Sequence, residues 1–395
     1  MKFPRAIALT AAAGLMTLGA SGAVGAAEPI KIGVVLPYSS VYATIGNDIT
    51  DAMRLAFDEL GGKVAGREIV LIREDSEVKP NVGLAKAKKL VHQAGVDLLV
   101  GPVASHVAGA MAQFVNQAKI PLLIPNAGNN LLTGEQCSPY VLRTSFSNDQ
   151  FVRIMGPWLK KKGYNTAFLM ASDYAAGHQM MEGFKKSFVE AGGKVVGEAF
   201  PPLRTTKDYA PYLAKVKAAK PDTLFVFFAG GPAIQFVKQY DAFGLKKDIQ
   251  LSGAGWLTSP LFLPAQGDAA AGFIGSLNYI PSIDTPTSKA FQTNFKAMTD
   301  RVGSEFAAQG YDTAKLIFEA LKQTGGKTDD KMAFIEAMHS VKITGTRGSL
   351  RIDRKTNNII QDMYIFETKK MGGKVGYNIL DTIKAVQDAP KGCKL

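Results

Sequence analysis

Three short segments hold the residue types in this chain that could do chemistry. They are Leu36-Pro37-Tyr38-Ser39-Ser40-Val41-Tyr42, Gly101-Pro102-Val103-Ala104-Ser105-His106 and Pro125-Asn126-Ala127-Gly128-Asn129-Asn130. Each follows a β-branched run, and each sets small or hydroxyl residues beside the free amides of a helix start. Such ends hold an anion without a cation, because unpaired N–H groups and the helix dipole both favour negative charge. Ser105 is placed to cap its helix and to offer a hydroxyl to a carboxylate. Catalytic patterns are missing. The histidines, His92, His106, His178 and His339, have no metal-ligand spacing, and Gly253-x-Gly255 does not extend to a dinucleotide fingerprint. There is no GxSxG elbow and no phosphate loop. These features point to binding, not catalysis, and no cofactor or metal is expected.

The elements that must position these loops repeat one rhythm: a short apolar run, a loop, an amphipathic helix. Strands are predicted at Ile30–Leu36, Glu68–Arg73, Asp97–Val100, Pro121–Ile124, Thr166–Met170, Lys194–Phe200 and Thr223–Phe228. Near-continuous apolar strands of this kind belong in a sheet covered on both faces. Helical stripes run through Ile49, Ala52, Met53, Ala56 and Leu60, and through Val107, Ala110, Met111, Phe114, Val115 and Ala118. The rhythm restarts after Arg143 to Asn148, gives way to helices after Tyr279-Ile280-Pro281, and turns to strands after Thr344 to Gly348. The expected fold is α/β with two lobes, each an open parallel sheet with helices on both faces. The expected lobes are residues 28–146 plus 281–345, and 147–280 plus 346–395.

Residues 1–27 have the form of a cleaved secretory signal peptide: Lys2 and Arg5, an Ala-rich apolar run, then Val24-Gly25-Ala26-Ala27. The protein is therefore expected outside the cytoplasm, where Cys137 and Cys393 are candidates for one disulfide. The formal charge of +12 is spread over scattered Lys and Arg, without the aromatic-studded basic track of a nucleic-acid binder. The 395 residues exceed what one ordinary core organises, in keeping with two lobes.

Taken in order, several motifs resemble the periplasmic leucine/isoleucine/valine-binding protein family. They are Ile32-Gly33-Val34-Val35 with Tyr38-Ser39, Gly101-Pro102 with Ser105, Pro125 to Thr133, Leu142-Arg143-Thr144, Gln309-Gly310-Tyr311-Asp312, and Gly348 to Asp353. The resemblance spans residues 29 to 390. It implies a type I periplasmic binding protein: two lobes on a three-strand hinge, closing on a solute and delivering it to the permease of a branched-chain-type ABC importer. It implies a monomer in the periplasm. It also implies that a ligand carboxylate is held at Ser105 and at Asn126, Ala127 and Gly128. His106, next in sequence, is a candidate to sit beside that carboxylate, the alternative being a residue that only decorates its helix. Gly128 stands where many amino-acid binders carry Ser or Thr.

The second lobe departs from the amino-acid-binding pattern. Where relatives place an acid for the ligand's ammonium, this chain reads Gly253-Ala254-Gly255-Trp256. An ammonium buried without a partner costs several kcal/mol. Trp256 offers a flat apolar face, and Tyr42, Tyr174 and Phe228 are candidates for further aromatic wall. The expected ligand is an aromatic acid of benzoate or phenylpropanoid type. A branched-chain or other aliphatic amino acid is the alternative, with Asp173 as the acid that would rescue it. A ligand-sensing receptor module is the alternative of another class.

Overall fold

A computed structural model of the protein describes residues 1–4 and 27–395. Most of the expected leader therefore lies outside the described residues. Among the described residues no helix is long and apolar enough to cross a membrane.

The first sheet contains β1 (Ile30–Leu36), β2 (Lys63–Val64), β3 (Arg67–Asp75), β4 (Leu98–Val100), β5 (Leu122–Ile124) and β6 (Val141–Arg143), in the spatial order β2-β3-β1-β4-β5-β6. All pairs are parallel except the short β2–β3 hairpin. β4, β5 and β6 are buried along their whole length, as strands covered on both faces must be. The crossovers are α1 (Ala43–Glu59), α2 (Pro80–His92) and α3 (Ser105–Ala118). The stripe Ile49, Ala52, Met53 and Ala56 of α1 is buried, as its spacing predicts.

The second sheet begins with α4 (Asn148–Lys161), β7 (Thr166–Ala171), α5 (Ala175–Glu190), β8 (Lys194–Ala199), α6 (Ala210–Ala219), β9 (Thr223–Phe227), α7 (Gly231–Ala242), β10 (Gln250–Ala254), α8 (Leu263–Gln266) and β11 (Ile274–Leu277). Three helices then return to the first lobe: α9 (Pro286–Thr299), α10 (Glu305–Gln323) and α11 (Lys331–Ser340). α10 lies along α1. Gly310 makes that approach possible, since a Cβ there would stand 2.4 Å from the Ile49 carbonyl oxygen. The chain ends in β12 (Lys342–Gly345), β13 (Gly348–Ile352), β14 (Ile359–Met371) and β15 (Lys374–Val386). The second sheet runs β12-β13-β14-β11-β10-β9-β7-β8, with β15 on β14. Its β7 to β11 part is parallel, as expected, while β12 to β15 join antiparallel. β12 thus enters the second sheet before the expected boundary at residue 345.

The chain crosses between the lobes after β6, after β11 and after α11, and one buried cluster ties these crossings together. Asp312 of α10 accepts from Arg347 Nε at 2.9 Å, and from the Thr346 amide and hydroxyl, each at 2.8 Å. The rest of the Arg347 guanidinium donates to the carbonyls of Thr144 at 2.9 Å and Ser145 at 3.3 Å. Both charged side chains are fully buried. This accounts for Gln309 to Asp312 and Thr346 to Gly348 as hinge motifs.

Cys137 and Cys393 are disulfide-bonded, with Cα atoms 5.5 Å apart. The bond carries the end of the chain back to the loop before β6, so residues expected with the second lobe finish against the first. Asp388 reinforces this return by accepting from Ser147 Oγ and from Asn358 Nδ2, each at 2.8 Å.

Candidate functional site

The loops singled out in the sequence meet between the lobes, at the carboxyl ends of the parallel strands, where open α/β sheets hold ligands. They line one narrow space, with a cavity volume of about 20 Å³. From the first lobe come Tyr42, Ile45, Val103, Ser105, Asn126 and Gly128; Phe146 lies on the crossing after β6, and Asn148 opens α4. From the second come Tyr174, Ala176, Met180, Phe227, Ala229 and Trp256, and α10 contributes Phe306. No lining residue is Asp, Glu, Lys, Arg or His.

One polar relay fixes the direction of every proton around Ser105. The Asn130 amide can only donate, and it donates to Gln179 Oε1 at 2.9 Å. Asn148 must therefore present Nδ2 to that same oxygen, at 2.7 Å. Asn148 Nδ2 also donates to Ser105 Oγ at 3.2 Å. Ser105 accepts this bond, which leaves its own O–H free for a ligand oxygen. The first amides of α3, at Ser105 and His106, have no acceptor within the helix. Ala104 occupies the N-cap, and the Ser105 hydroxyl does not cap the helix. A second relay holds Asn126: its Nδ2 donates to Gln309 Oε1 at 2.7 Å, and Gln309 Nε2 donates to Asn278 Oδ1 at 3.2 Å in the hinge.

The opposite wall is aromatic. Trp256 stands 4.7 Å, ring centre to ring centre, from both Phe146 and Phe151, and 5.7 Å from Phe227. Its indole N–H is buried and has no partner among the described residues. Tyr42 donates its hydroxyl to that of Tyr174 at 3.2 Å, across the two lobes. Burial pushes the Tyr42 phenol up to about 12 and Tyr174 well above its usual range, so both stay neutral donors.

Four expected residues are placed differently. Phe228 does not face the space: it packs on Phe236 at 4.5 Å and Tyr209 at 5.3 Å inside the second lobe, and its neighbour Phe227 takes the cleft position. β9 is buried on both faces, so no alternation in the sequence separates the two. Ala127 is buried outside the lining, its amide bonded to the Pro102 carbonyl at 3.2 Å. His106 stays off this lining, Nε2 on the Val78 carbonyl at 3.1 Å and ring edge against Tyr174, and burial lowers its pKa. Asp173 stays off it too, half exposed and 2.7 Å from His178 Nε2; with His106 and Arg204 it faces a neighbouring opening that shares Tyr174. Asn148, Phe146, Phe227 and Phe306 went unread, although Ser147, which caps α4 through the Gln150 amide at 3.2 Å, marks the neighbourhood of the first two.

Behind Phe306, Glu305 accepts from Ser259 Oγ of the second lobe at 3.0 Å. Burial, with Asp48 adding to it, pushes Glu305 up to about 8, and burial pushes Asp48 up to about 7 despite Ser304 and Arg301. Burial raises Tyr279 and Tyr377 as well, with Glu305 a smaller contributor to each. In the unfolded chain a glutamate titrates near about 4.3. The folded protein therefore binds more protons than the unfolded one between those values. The contribution is fully present below the unfolded value and is lost as pH rises through about 8. Melting temperature is expected to fall from pH 5 to pH 9, and Glu305→Gln to flatten that fall. Equal slopes for the two proteins in calorimetric scans would refute this.

A family model described as periplasmic binding protein matches residues 29–374. The chain is 32% identical over 377 residues to the Leu/Ile/Val-binding protein homolog 6 of Brucella melitensis, covering 94% of this chain and 95% of that one. It is similar to a solute-binding protein of an ABC transporter from R. palustris, solved in complex with benzoate: 34% identity, TM-score 0.88, 93% of this chain and 100% of that one. It is also similar to one from Rhodopseudomonas palustris BisB5, solved with 3,4-dihydroxybenzoic acid: 34% identity, TM-score 0.87, 91% of this chain and 98% of that one.

Proposed function

The chain belongs to the periplasmic binding protein family, and we propose that the solute it captures is an aromatic carboxylate. As a solute-binding protein of an ABC transporter it is a periplasmic receptor and not an enzyme, and its partners are a small molecule and a permease. The aromatic assignment rests on one observation: an aromatic-walled space whose own lining holds no charged side chain. A lone carboxylate needs only donors, and Ser105 O–H with the first amides of α3 supplies them. An amino acid would also bury an ammonium, whose cost no acid in the lining offsets. Asp173 does not offset it from outside that lining.

In this reading the first lobe takes the carboxylate and the second closes Trp256, Phe227 and Tyr174 over the ring. Opening and closing use the hinge, an ordinary motion for two lobes on short crossings. The solved relatives that carry benzoate and dihydroxybenzoate support the ring; the Leu/Ile/Val name of the Brucella relative supports the amino-acid alternative. Secretion through the cleaved leader over residues 1–27, action as a monomer, and lobes divided at 146, at 280 and, with the last boundary moved ahead of β12, between α11 and β12 belong to the same proposal.

A thermal-shift screen tests it, because a ligand raises the melting temperature according to its affinity and concentration. Benzoate, cinnamate and phenylacetate are expected to stabilise the protein; leucine, isoleucine and valine are expected not to. Stabilisation by the amino acids alone would overturn the aromatic assignment and leave the receptor assignment standing.

A further inference from the structure

Resting on the aromatic-acid reading, we infer that the ligand carries a neutral hydroxyl on the carbon next to its carboxylate, and that Asn148 Oδ1 selects it. The class is an aryl α-hydroxy acid, with mandelate its smallest member.

The inference starts from an acceptor with nothing to accept. Asn148 is 1% exposed, and its Oδ1 is buried without a hydrogen-bond partner among the described residues. Its orientation is not free to change. Turning the amide would set two acceptors face to face at Gln179 Oε1, which the Asn130 amide already pins. The backbone around it is equally fixed, since the Asn148 amide donates to the Gly128 carbonyl at 2.7 Å.

Gly128 is what gives this oxygen room. A Cβ at position 128 would stand 2.4 Å from Asn148 Oδ1 and 2.6 Å from Phe146 Cε2. Both Gly128 and Asn148 line the cleft. The bare Cα therefore leaves a buried acceptor at the cleft wall, on the same side chain whose Nδ2 holds Ser105 Oγ at 3.2 Å. In the inferred pose, a carboxylate held at Ser105 turns its α-substituent toward Oδ1 of that same side chain.

That position rejects a second acceptor and invites a donor. An α-methylene leaves Oδ1 unsatisfied, at the cost that any buried unpaired acceptor carries. An α-ammonium donates but brings a charge that no lining residue balances. An α-hydroxyl donates without charge. A fixed acceptor beside a fixed carboxylate grip also distinguishes the two hands of that carbon.

The test is titration calorimetry of the full mature chain with phenylacetate, mandelate as separate enantiomers, and phenylglycine, with benzoate as the control for the underlying reading. One mandelate enantiomer is expected to bind roughly tenfold or more tighter than phenylacetate, and phenylglycine more weakly than either. Asn148→Ala is expected to bring the mandelate-to-phenylacetate ratio and the ratio of enantiomers close to one. Equal affinity of wild type for mandelate and phenylacetate overturns the inference, as does a preference that survives in Asn148→Ala. If that variant fails to fold, as judged by its melting curve, the wild-type ratios alone decide. Binding of benzoate and phenylacetate without a gain for mandelate sinks the hydroxyl and leaves the aromatic reading intact. Binding of phenylglycine alone sinks both.

Discussion

Asp312→Ala is expected to destabilise the protein by about 3–5 kcal/mol, the usual cost of removing one partner of a buried ion pair. The carboxylate is fully buried and receives Arg347 Nε, the Thr346 amide and the Thr346 hydroxyl. Without it the guanidinium stays buried, held only by the Thr144 and Ser145 carbonyls and by the Gln361 side chain. None of these neutral groups balances its charge. Because the same guanidinium joins the crossings, the loss falls on the hinge and not on either sheet. Urea unfolding of the free protein measures the effect. Replacing both partners with apolar residues of similar volume, Asp312→Leu with Arg347→Met, is expected to recover much of it, since no lone charge is then left behind. A single variant within about 1 kcal/mol of wild type would show that the pair does not hold the hinge.

Ser105→Ala is expected to weaken benzoate binding by about 1.5–3 kcal/mol, on the order of ten- to a hundredfold, as for other hydrogen bonds to a charged group. The reason is directional. Asn148 donates to Ser105 Oγ, so the serine proton is free, and the α3 start beside it adds amides. The free protein is expected to melt close to wild type, because the Ser105 side chain does not cap its helix and Asn148 keeps its bond to Gln179. Calorimetric titration with benzoate reads the change. An unchanged affinity would place the carboxylate elsewhere in the cleft and remove the premise for the role of Asn148.

Much of the architecture is legible in local pattern. The apolar runs that became β1, β4, β5, β7 and β9 and the stripe of α1 follow from short-range periodicity, because a helix or strand must bury one side of itself wherever the chain goes. Tyr42, Ser105, Asn126, Gly128, Tyr174 and Trp256 were equally legible as strand-end residues, and all of them line the cleft. Cys137 and Cys393 needed only to be counted. Local pattern failed where both faces of an element are buried. At the end of β9, Phe227 and the following Phe228 carry the same side chain and are both buried, and only packing on Tyr209 and Phe236 decides which of them leaves the cleft.

The amino-acid order alone therefore determined the alternating units, the leader pattern, the binding loops and the absence of an acid beside Trp256. The tertiary structure alone decided which protons are free. Asn148 and Gln179 carry no sign of a role in sequence, yet Gln179 joins Asn148 to Asn130 of the other lobe, and Gln309 reaches Asn126 across 183 positions. A side chain's apolar character is its own, so periodicity displays it. Whether its donor or acceptor is satisfied depends on a partner that only folding brings within about 3 Å.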